Sequence, residues 1–574
     1  MRLQVNIDCC KEVLEKMAFE RVWHKSYAPG VPPEIEIQKV TVGEALIRTA
    51  KRFPDRTGFI FMGRRITYRE LDTLVNRFAN ALTGLGLKAG DKVGMLLPNL
   101  PQLIIANHAV HRLGAVTAMN NPLYTEQELE HQLNDCDARF LITLDLLLPR
   151  ALALKSQTSV EAIITCHIND YLPFPKKQLY PFVKKTMYRK VTPQLGVHPF
   201  TDLIRKAPAT PVPDRSRWDD LGALIYTGGT TGVSKGTMLT NANLSSVVQI
   251  FRAWFPDLKD GAVHIVGTYP IFHSAGYVVS QEFIIWSGWT STIIPRPEPG
   301  ILMETLKKYK PDFLPGVASI FVGLLANPEF RKMDLSFIKG FFTGAAPIAA
   351  DTVQDLKKLT GKDVYDNYGM TENIAFATGM PWGGKKKIGT VGVPFPNTDV
   401  KIVDLDLGET ELKPGEAGEI CIKGPQVMTG YYKRPDETVL ALRDGWLYTG
   451  DIGVMDEEGH FRIVDRKKDL IVAGGYNIYP KDIDELLFEH ERILEACAVG
   501  VPDTYRGETV KVFVVLKEGE RMTEDEVIAY CREHLAAYKV PKRVEFVTEL
   551  PKSTVGKILR RELRDREIAK QGKT

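Results

Sequence analysis

The stretch YTGGTTGVSKG (226–236) directly follows the apolar run LGALI (221–225). It contains four glycines, three threonines, one serine and one lysine. A loop of this composition behind a buried strand suits three purposes. It can bind the phosphates of a nucleotide, present the nucleophile of a hydrolase, or simply connect two elements. The order of residues in the loop, and the rest of the chain, decide between these alternatives.

The order of residues excludes one class of nucleotide-binding protein. A Walker-type P-loop requires G-x-x-x-x-G-K-[ST], whereas here Lys235 precedes a glycine. Glycines still allow backbone N–H groups to converge on an anion, and the hydroxyl groups and Lys235 add further donors. The composition therefore favours phosphate binding by a loop of another kind.

The segment GVSKG (232–236) also matches the G-x-S-x-G nucleophile elbow of α/β-hydrolases. That elbow requires a helix directly after Ser234, and GTMLT (236–240) indicates an extended strand instead. The preceding GGTT (228–231) also makes the loop too long for a tight turn. A hydrolase and a plain connection are therefore the less favoured alternatives.

Length and composition indicate a large globular protein of several domains. The 574 residues suffice for several domains, and 74 basic against 71 acidic residues give a net charge of +3. This balance argues against a nucleic-acid partner. The start of the chain has no basic segment followed by a long apolar run, and no apolar stretch approaches ~18 residues, so we expect neither a signal peptide nor a membrane span. Seven scattered cysteines without a C-x-x-C pair fit reduced thiols in the cytoplasm.

Helix and strand signals alternate along most of the chain, which predicts parallel sheets covered by helices. Capping boxes at Thr67-x-x-Glu70 and Thr125-x-x-Glu128 mark two of the helices. Residues 147–215 interrupt the alternation. We therefore expect an α/β and α+β multidomain protein.

The expected domains differ in composition. The large N-terminal domain combines an α/β core with a β-rich subdomain, and a charged run separates it from a small α+β domain. The boundaries are 1–465 for the large domain, with the core at 40–395 and the β-rich subdomain at 396–465, then 465–469 for the hinge and 466–574 for the C-terminal domain.

The interrupting region contains a basic and aromatic segment, FPKKQLYPFVKKTMYRK (174–190), which has no acidic residue. Its aromatic residues are Phe174, Tyr180, Phe182 and Tyr188. Its six basic residues are Lys176, Lys177, Lys184, Lys185, Arg189 and Lys190. The segment is either a solvated surface excursion or a peripheral contact with an anionic membrane, here the inner face of the cell membrane.

The complete loop resembles the phosphate loop of the adenylate-forming enzymes: acyl-CoA synthetases, luciferases and the adenylation domains of peptide synthetases. Four further motifs follow in the order typical of that superfamily. They are YDNYGMTE (365–372), GWLYTGDIG (445–453), VDRKKDLIVAGGYNIYP (464–480) and PKSTVGKILRREL (551–563). The resemblance extends from about residue 40 to the end. NPLYTEQELEHQLND, AYKVPK and PKSTVGKILRRELRD are similar to bacterial long-chain fatty-acid–CoA ligases in particular.

This resemblance implies ATP-dependent ligation of a medium- to long-chain fatty acid to coenzyme A. The acyl-adenylate would be the intermediate, AMP and pyrophosphate the products, and Mg²⁺ the metal. An aryl-acid ligase of the hydroxycinnamate type is the alternative within the superfamily, and an α/β-hydrolase-type esterase lies outside it. A homodimer is compatible with the sequence, which leaves the oligomeric state open.

The resemblance also assigns nucleotide contacts. The expected contacts to the β- and γ-phosphates are Thr227, Gly228, Gly229, Thr230, Thr231, Gly232, Ser234 and Lys235. Thr371 would bond the α-phosphate, and Glu372 would bind Mg²⁺. The expected adenine wall is Gly344, Ala345, Ala346, Asp366, Asn367 and Tyr368. Asp451 would accept the ribose hydroxyls, and Arg466 would support the ribose.

The remaining implied residues serve the acyl and thiol halves of the reaction. Lys557 would bridge the carboxylate and the α-phosphate as a catalytic lysine on the mobile domain. His273, in TYPIFHSAGYVV (268–279), would flank the carboxylate, and Tyr277 stands where some long-chain members carry a gating tryptophan. Lys468 matches the hinge position. The expected border of the pantetheine tunnel is Gly474, Gly475 and Tyr476.

Overall fold

A computed structural model provides the structure of the chain and describes residues 21–227, 234–346, 348–473, 476–503, 506–552 and 558–571. Within these ranges a large N-terminal part is followed by a smaller C-terminal α+β part. The predicted fold class is confirmed.

The strands of the large N-terminal part are short and mostly buried. In chain order they are β1 (Thr57–Phe61), β2 (Arg64–Thr67), β3 (Lys92–Leu96), β4 (Val116–Met119), β5 (Ala138–Leu144), β6 (Ala162–Cys166), β7 (Val197–Pro199), β8 (Leu221–Thr227), β9 (Lys235–Thr240), β10 (His264–Gly267), β11 (Thr290–Ile293), β12 (Phe313–Pro315), β13 (Gly340–Gly344), β14 (Val364–Tyr368), β15 (Thr378–Gly379), β16 (Val393–Pro394), β17 (Asp399–Val403), β18 (Ala417–Lys423), β19 (Gly430–Tyr431), β20 (Leu442–Arg443), β21 (Trp446–Met455) and β22 (Phe461–Arg466).

Helices connect these strands. They are α1 (Val42–Arg52), α2 (Tyr68–Gly84), α3 (Pro101–Arg112), α4 (Glu126–Asp135), α5 (Leu148–Leu154), α6 (Lys176–Val183), α7 (Phe200–Lys206), α8 (Asn241–Ala253), α9 (Ser274–Gly276), α10 (Phe283–Ser287), α11 (Pro299–Tyr309), α12 (Ala318–Leu325), α13 (Pro328–Arg331), α14 (Ala350–Thr360) and α15 (Pro435–Ala441). A π-helical segment, Tyr277–Glu282, joins α9 to α10.

Two large mixed sheets form the core of the N-terminal part. One has the strand order β16-β15-β14-β13-β12-β10-β11-β1-β2, and the other has the order β19-β9-β8-β4-β3-β5-β6-β7. Their central strands pair in parallel, and the antiparallel pairs lie towards the edges. The helices cover faces made almost entirely of apolar residues, which is why the central strands read as continuous apolar runs.

The helix caps follow the predicted boxes with one exception. Thr125 and Glu128 exchange both cap hydrogen bonds at the start of α4. At α2 only Thr67 caps, since its side chain accepts from the backbone N–H of Glu70. The Glu70 carboxylate pairs with Arg64 on β2 instead of returning to the cap. The predicted box at Thr67–Glu70 is therefore only half formed.

The sequence predicted that the alternation of strands and helices stops at residues 147–215. For the sheet, this prediction is wrong. Strands β6 and β7 lie inside that region, and each extends the sheet in parallel from β5. The excursion that carries α6 is inserted between them. Because this excursion is rich in proline and lysine, its sequence gives no sign that the α/β pattern continues on either side of it.

The β-rich subdomain is an antiparallel sheet in the order β17-β18-β21-β20, with β22 paired to β21. Its described strands run from Asp399 to Arg466, close to the predicted 396–465. The register places Asp451 of β21 opposite Arg466 of β22. This pairing brings two predicted ribose contacts side by side.

The C-terminal part packs helices against a second small sheet. Its strands are β23 (Ile471–Ala473), β24 (Tyr476–Ile478), β25 (Ile493–Asp503), β26 (Gly507–Leu516) and β27 (Arg543–Phe546). Its helices are α16 (Pro480–Phe488), α17 (Glu524–His534) and α18 (Arg560–Gln571). The strand order is β24-β23-β26-β25, with β27 parallel to β26. Two apolar clusters of its own fill this part.

The charged run 465–469 is less solvated than its composition indicates. Asp465 is buried at the end of β22, where its carboxylate accepts the backbone N–H of Lys481 at 2.8 Å. Only residues 467–469 form a turn between β22 and the C-terminal part. Separately, no described helix combines the length and apolar character needed to cross a bilayer.

Candidate functional site

The two strands that flank the phosphate loop in the sequence form a β-hairpin. Strands β8 and β9 pair antiparallel, with Thr227 opposite Lys235. Gly228, Gly229, Thr230, Thr231 and Gly232 lie outside the described residues. Ser234 is described, and its hydroxyl oxygen accepts from the side-chain amide of Gln132 at 3.1 Å. A strand follows it and helix α8 begins only at Asn241, so the strand–turn–helix geometry of a hydrolase elbow is not formed at Ser234.

Lys235, at the loop end of the β8–β9 ladder, is held by two groups from a distant part of the chain. Its ammonium group pairs with the carboxylate of Glu437 and lies 4.5 Å from the ring centroid of Tyr431. Tyr431 belongs to β19, which pairs with β9. Neither partner is predictable from the sequence, because MTGYYKRPDE (428–437) indicates only a turn followed by the start of a helix.

Glu372 lies close to the same tyrosine. The hydroxyl group of Tyr431 donates to its carboxylate at 2.7 Å. Burial raises the pKa of Glu372 above its ordinary value. Among the described residues no cation lies within salt-bridge distance of this carboxylate. A buried acid with an elevated pKa and a hydroxyl donor is chemically suited to a divalent cation.

Thr371 is placed beside Glu372 by a sharp turn. Residues Thr371–Asn373 form one 3₁₀ turn, which the left-handed residues Ile374 (φ 52°) and Ala375 (φ 71°) close. Gly369 permits this turn, because a Cβ there would lie 2.2 Å from the backbone of Ala375. The motif therefore presents Thr371 and Glu372 in a compact loop after β14.

The expected adenine wall lies at the carboxyl ends of two neighbouring parallel strands. Gly344 ends β13 and stands opposite Asn367 of β14, and Asp366 precedes Asn367. Burial raises the pKa of Asp366 to about 7. Ala345 follows with φ 67°, a conformation that favours glycine and costs a residue with a side chain ~1 kcal/mol. Ala346 continues the same exposed loop.

The expected ribose site is a connected polar cluster. The hydroxyl group of Tyr368 donates to one oxygen of Asp451 at 2.8 Å. Arg466 approaches the other oxygen at 3.1 Å. Asp451 is buried, so these two partners compensate its charge. Motifs about 80 residues apart in the chain thus meet at one carboxylate, as the resemblance implies.

His273 caps the short helix α9 and is neutral. Its Nδ1 atom accepts the backbone N–H of Ala275 at 3.4 Å. Burial lowers the pKa of its imidazole to about 4. The proton therefore resides on Nε2, which leaves one N–H donor for another group.

An apolar cavity lies behind the segment that His273 begins. Its volume is about 10 Å³, room for about one water molecule. Its lining residues carry no charge and no hydroxyl group, and most of them are aromatic: Phe251, Phe255, Leu258, Ile265, Val279, Phe283, Trp289, Phe313, Pro315 and Phe342. Strand β13, which contributes Phe342, continues to Gly344 of the adenine wall. The cavity and the nucleotide residues therefore share a strand.

Tyr277 does not stand as a movable ring over this cavity. It is fully buried in the π-helical segment, and its hydroxyl group is 3.0 Å from Nε2 of His111. Asn107 lies 3.4 Å from the same hydroxyl group. The residue is fixed against α3, so a gate like that of the tryptophan-bearing relatives is not formed by it.

The predicted residues of the C-terminal part are only partly described. Lys557, Gly474 and Gly475 lie outside the described residues. Tyr476 is 56% exposed and stacks on Tyr538 at 4.7 Å between ring centroids. Lys468 lies in the exposed turn after β22.

Comparison with known proteins agrees with this geometry. Residues 46–432 match the family model described as AMP-binding enzyme, and residues 482–557 match the AMP-binding enzyme C-terminal domain. The chain is 42% identical over 554 residues to the long-chain-fatty-acid–CoA ligase of Bacillus subtilis strain 168, covering 96% of this chain and 99% of the relative. It is 41% identical over 558 residues to the enzyme of the same name from Yersinia pestis, covering 96% and 98%.

Solved structures show the same architecture. ATP-bound MatB from Rhodopseudomonas palustris superposes with a TM-score of 0.81 at 28% identity, covering 92% of this chain and 99% of that one. The anthranilate-CoA ligase AuaEII, in complex with anthranoyl-AMP, superposes with a TM-score of 0.82 at 25% identity, covering 93% and 98%.

Fold and family matches together define an AMP-binding enzyme of two parts. The chain belongs to the AMP-binding enzyme family. The membership in the adenylate-forming superfamily that the five motifs predict is thereby confirmed.

Proposed function

We propose that the protein ligates a medium- to long-chain fatty acid to coenzyme A, using ATP and passing through an acyl-adenylate. The observation that carries this proposal is the wholly apolar cavity behind His273, on the strand that ends at the adenine wall. Each buried CH₂ group of an acyl chain contributes ~0.8 kcal/mol, so this apolar lining would favour an alkyl chain once its side chains move apart to admit one. The long-chain ligases that the chain resembles over nearly their full length support the same substrate class.

In the first half-reaction a carboxylate oxygen attacks the α-phosphorus, and pyrophosphate leaves. Two anions must approach each other, so positive groups and N–H donors are required. Lys235 and the phosphate loop would hold the β- and γ-phosphates. Thr371 would bond the α-phosphate, and Asp451 would orient the ribose. Neutral His273 would donate a hydrogen bond from its Nε2–H group to the carboxylate. Lys557 would bridge the carboxylate and the α-phosphate.

Glu372 is the residue that would hold Mg²⁺. Its buried carboxylate and raised pKa fit a cation that compensates its charge. Bound there, Mg²⁺ would neutralise charge on the phosphates. Tyr431 would orient the carboxylate through its 2.7 Å hydrogen bond.

In the second half-reaction the thiol of coenzyme A attacks the acyl carbonyl group, and AMP leaves. We expect the C-terminal domain, 466–574, to rotate about residues near Lys468, so that the tunnel bordered by Gly474, Gly475 and Tyr476 replaces Lys557. The turn at 467–469 supports a hinge at this place, because it separates β22 from the C-terminal sheet.

An aryl-acid ligase is the second candidate, and one observation favours it. Most residues that line the cavity are aromatic, and rings stack well on an aryl acid. A panel of acids in a pyrophosphate-release assay separates the two candidates. The fatty-acid proposal predicts that kcat/KM rises with chain length into the medium-to-long range. Highest values for short or aromatic acids would refute it.

The same panel, run with and without coenzyme A, tests the thiol half. Fatty acids alone should give one slow turnover, and coenzyme A should give many. Cleavage of p-nitrophenyl esters without ATP would support the esterase alternative instead.

We also propose a peripheral contact with anionic membrane through residues 174–190, on the inner face of the cell membrane, for a protein otherwise in the cytoplasm. All six basic residues of this segment are exposed, and among the described residues none lies within salt-bridge distance of a carboxylate. Phe174 is 83% exposed and Phe182 71%. Tyr180 and Tyr188 instead pack inward.

Light scattering of the purified protein tests the homodimer, which stays a prediction.

A further inference from the structure

The lysine of the phosphate loop is paired with an acid that the five motifs do not contain. Glu437, in the first turn of α15, contacts the ammonium group of Lys235. The lysine side chain is only 12% exposed and that of Glu437 31%. This ion pair lies at the end of the β8–β9 ladder where Lys235 stands opposite Thr227.

The elements around Glu437 fix its position. Strand β19 pairs with β9, so Tyr431 stands opposite Thr237, close to Lys235. The side chain of Thr438 accepts the backbone N–H of Tyr431 at 2.9 Å and donates to the carbonyl of Arg434 at 2.8 Å. The start of α15 is therefore tied to β19, and the carboxylate cannot drift from the lysine as a free surface group does.

Tyr431 links this ion pair to the carboxylate that would hold the metal. Its ring lies under Lys235, and its hydroxyl group donates to Glu372. Lys235 is thus bound by a carboxylate and by the face of a ring whose hydroxyl group contacts Glu372, the residue that would hold Mg²⁺. A phosphate and Glu437 compete for one ammonium group, since a lysine is a compact point charge.

We propose that Glu437 is a positioning residue of the phosphate clamp, which holds Lys235 when the β- and γ-phosphates are absent and releases it when they bind. The inference rests on the proposed use of ATP. When pyrophosphate leaves, Glu437 again neutralises the lysine, so Lys235 does not retain the product. Glu437 therefore weakens the binding of ATP and pyrophosphate, and it speeds product release.

The test is Glu437→Gln in the full chain, which removes the charge and keeps the shape. Calorimetry measures the binding of pyrophosphate and of ATP, both with Mg²⁺, and of AMP. This ion pair is partly buried, and a pair at the upper end of the range for surface pairs contributes ~1 kcal/mol, or about fivefold. We expect about fivefold tighter binding of ATP and pyrophosphate and no change for AMP, which lacks the β- and γ-phosphates.

Asp436→Asn is the matched control, because it removes the same charge from the neighbouring, exposed residue. It should leave all three affinities unchanged, and Glu437→Asp should retain the wild-type values within about twofold. Equal effects of Glu437→Gln and Asp436→Asn would mean a general charge effect and overturn the proposal. Weaker pyrophosphate binding by Glu437→Gln would also overturn it. Unchanged AMP affinity and an unchanged unfolding midpoint verify that the variants are folded.

Steady-state kinetics provides a second readout. Glu437→Gln should lower the KM for ATP, and pyrophosphate should inhibit the variant at lower concentration than the wild type. An unaltered inhibition constant for pyrophosphate would contradict the proposal. If the wild type binds no ATP, the proposed function itself is refuted, and the inference falls with it.

Discussion

Asp451 is the single residue on which ribose binding depends most. Its two oxygens contact Tyr368 and Arg466, and it is buried. Asp451→Asn removes the charge that compensates Arg466, and hydrogen bonds to charged groups contribute ~1.5–3 kcal/mol. We expect the KM for ATP to rise about thirtyfold, as measured by pyrophosphate release. Tyr368→Phe, which removes one hydroxyl group, should have a smaller effect. An unchanged KM in Asp451→Asn would exclude the ribose role.

His273 makes the stability of the fold depend on pH. Burial lowers its pKa to about 4 from an ordinary value of 6.5. Between these values the unfolded chain binds a proton that the folded protein does not, so acidification favours unfolding. From about pH 7 to about pH 5, the wild type should lose ~1–2 kcal/mol more unfolding free energy than His273→Gln. Urea-unfolding midpoints at both pH values measure this difference. Identical pH dependence of the two proteins would show that His273 is not held neutral by burial.

Single residues were predictable where a motif keeps its chemistry within a few positions. Thr371, Glu372 and Asp451 lie in such motifs. Tyr431 and Glu437 were not predictable, because they lie about 200 residues from Lys235 in the sequence. They contact it only because β19 pairs with β9. No local pattern indicates a partner that tertiary structure alone supplies. Ala345 shows the converse, since a left-handed position occupied by alanine gives no signal in the sequence.

At the scale of elements, helix α6 and its flanking residues form the most exposed basic segment that we identify. Each basic residue near an anionic membrane contributes ~1 kcal/mol. Replacing Lys176, Lys177, Lys184, Lys185, Arg189 and Lys190 by glutamine should abolish sedimentation with vesicles that contain anionic lipid. Wild-type sedimentation should also fall with rising salt concentration.

A matched variant controls for the loss of total charge. Lysines on α11 and α14 and at nearby exposed positions carry the same six charges: Lys307, Lys308, Lys310, Lys332, Lys357 and Lys358. Glutamine at these positions should leave sedimentation unchanged. If both variants behave alike, net charge rather than the segment 174–190 decides binding.

Most elements followed from their periodicity, and the exceptions have a physical reason. Helix α4 and strand β8 were predicted because cap chemistry and apolar runs are local signals. Strands β6 and β7 were hidden, because a long polar excursion separates them and β7 spans only Val197–Pro199. Asp465 and Arg466 were predicted to begin the charged hinge segment 465–469, yet they complete β22, which pairs with β21.

At the scale of the whole molecule, the proposed mechanism requires the C-terminal domain to present two different surfaces to the nucleotide site in turn. The first carries Lys557, and the second borders the pantetheine tunnel. Lys468→Pro should restrict that motion, because proline fixes φ near −65° and limits the preceding residue. The backbone N–H of Lys468 makes no hydrogen bond to another described backbone group, so the substitution removes none of these bonds. Pyrophosphate release should stay within about tenfold of wild type, and acyl-CoA formation should be nearly lost.

Lys468→Ala is the control for loss of the side chain and should support both half-reactions. The two products are measured on the same preparation. If the proline variant forms acyl-CoA as fast as the wild type, rotation about this residue is not part of the mechanism.

The fate of the carboxylate oxygens tests the central claim most directly. The protein is incubated with ATP, coenzyme A and a long-chain fatty acid whose two carboxylate oxygens are ¹⁸O, and the AMP is analysed by mass spectrometry. An acyl-adenylate intermediate places one labelled oxygen in each AMP, because the bond to phosphorus forms through the carboxylate and the thiol then displaces that oxygen. Unlabelled AMP, or ADP in its place, would contradict the account.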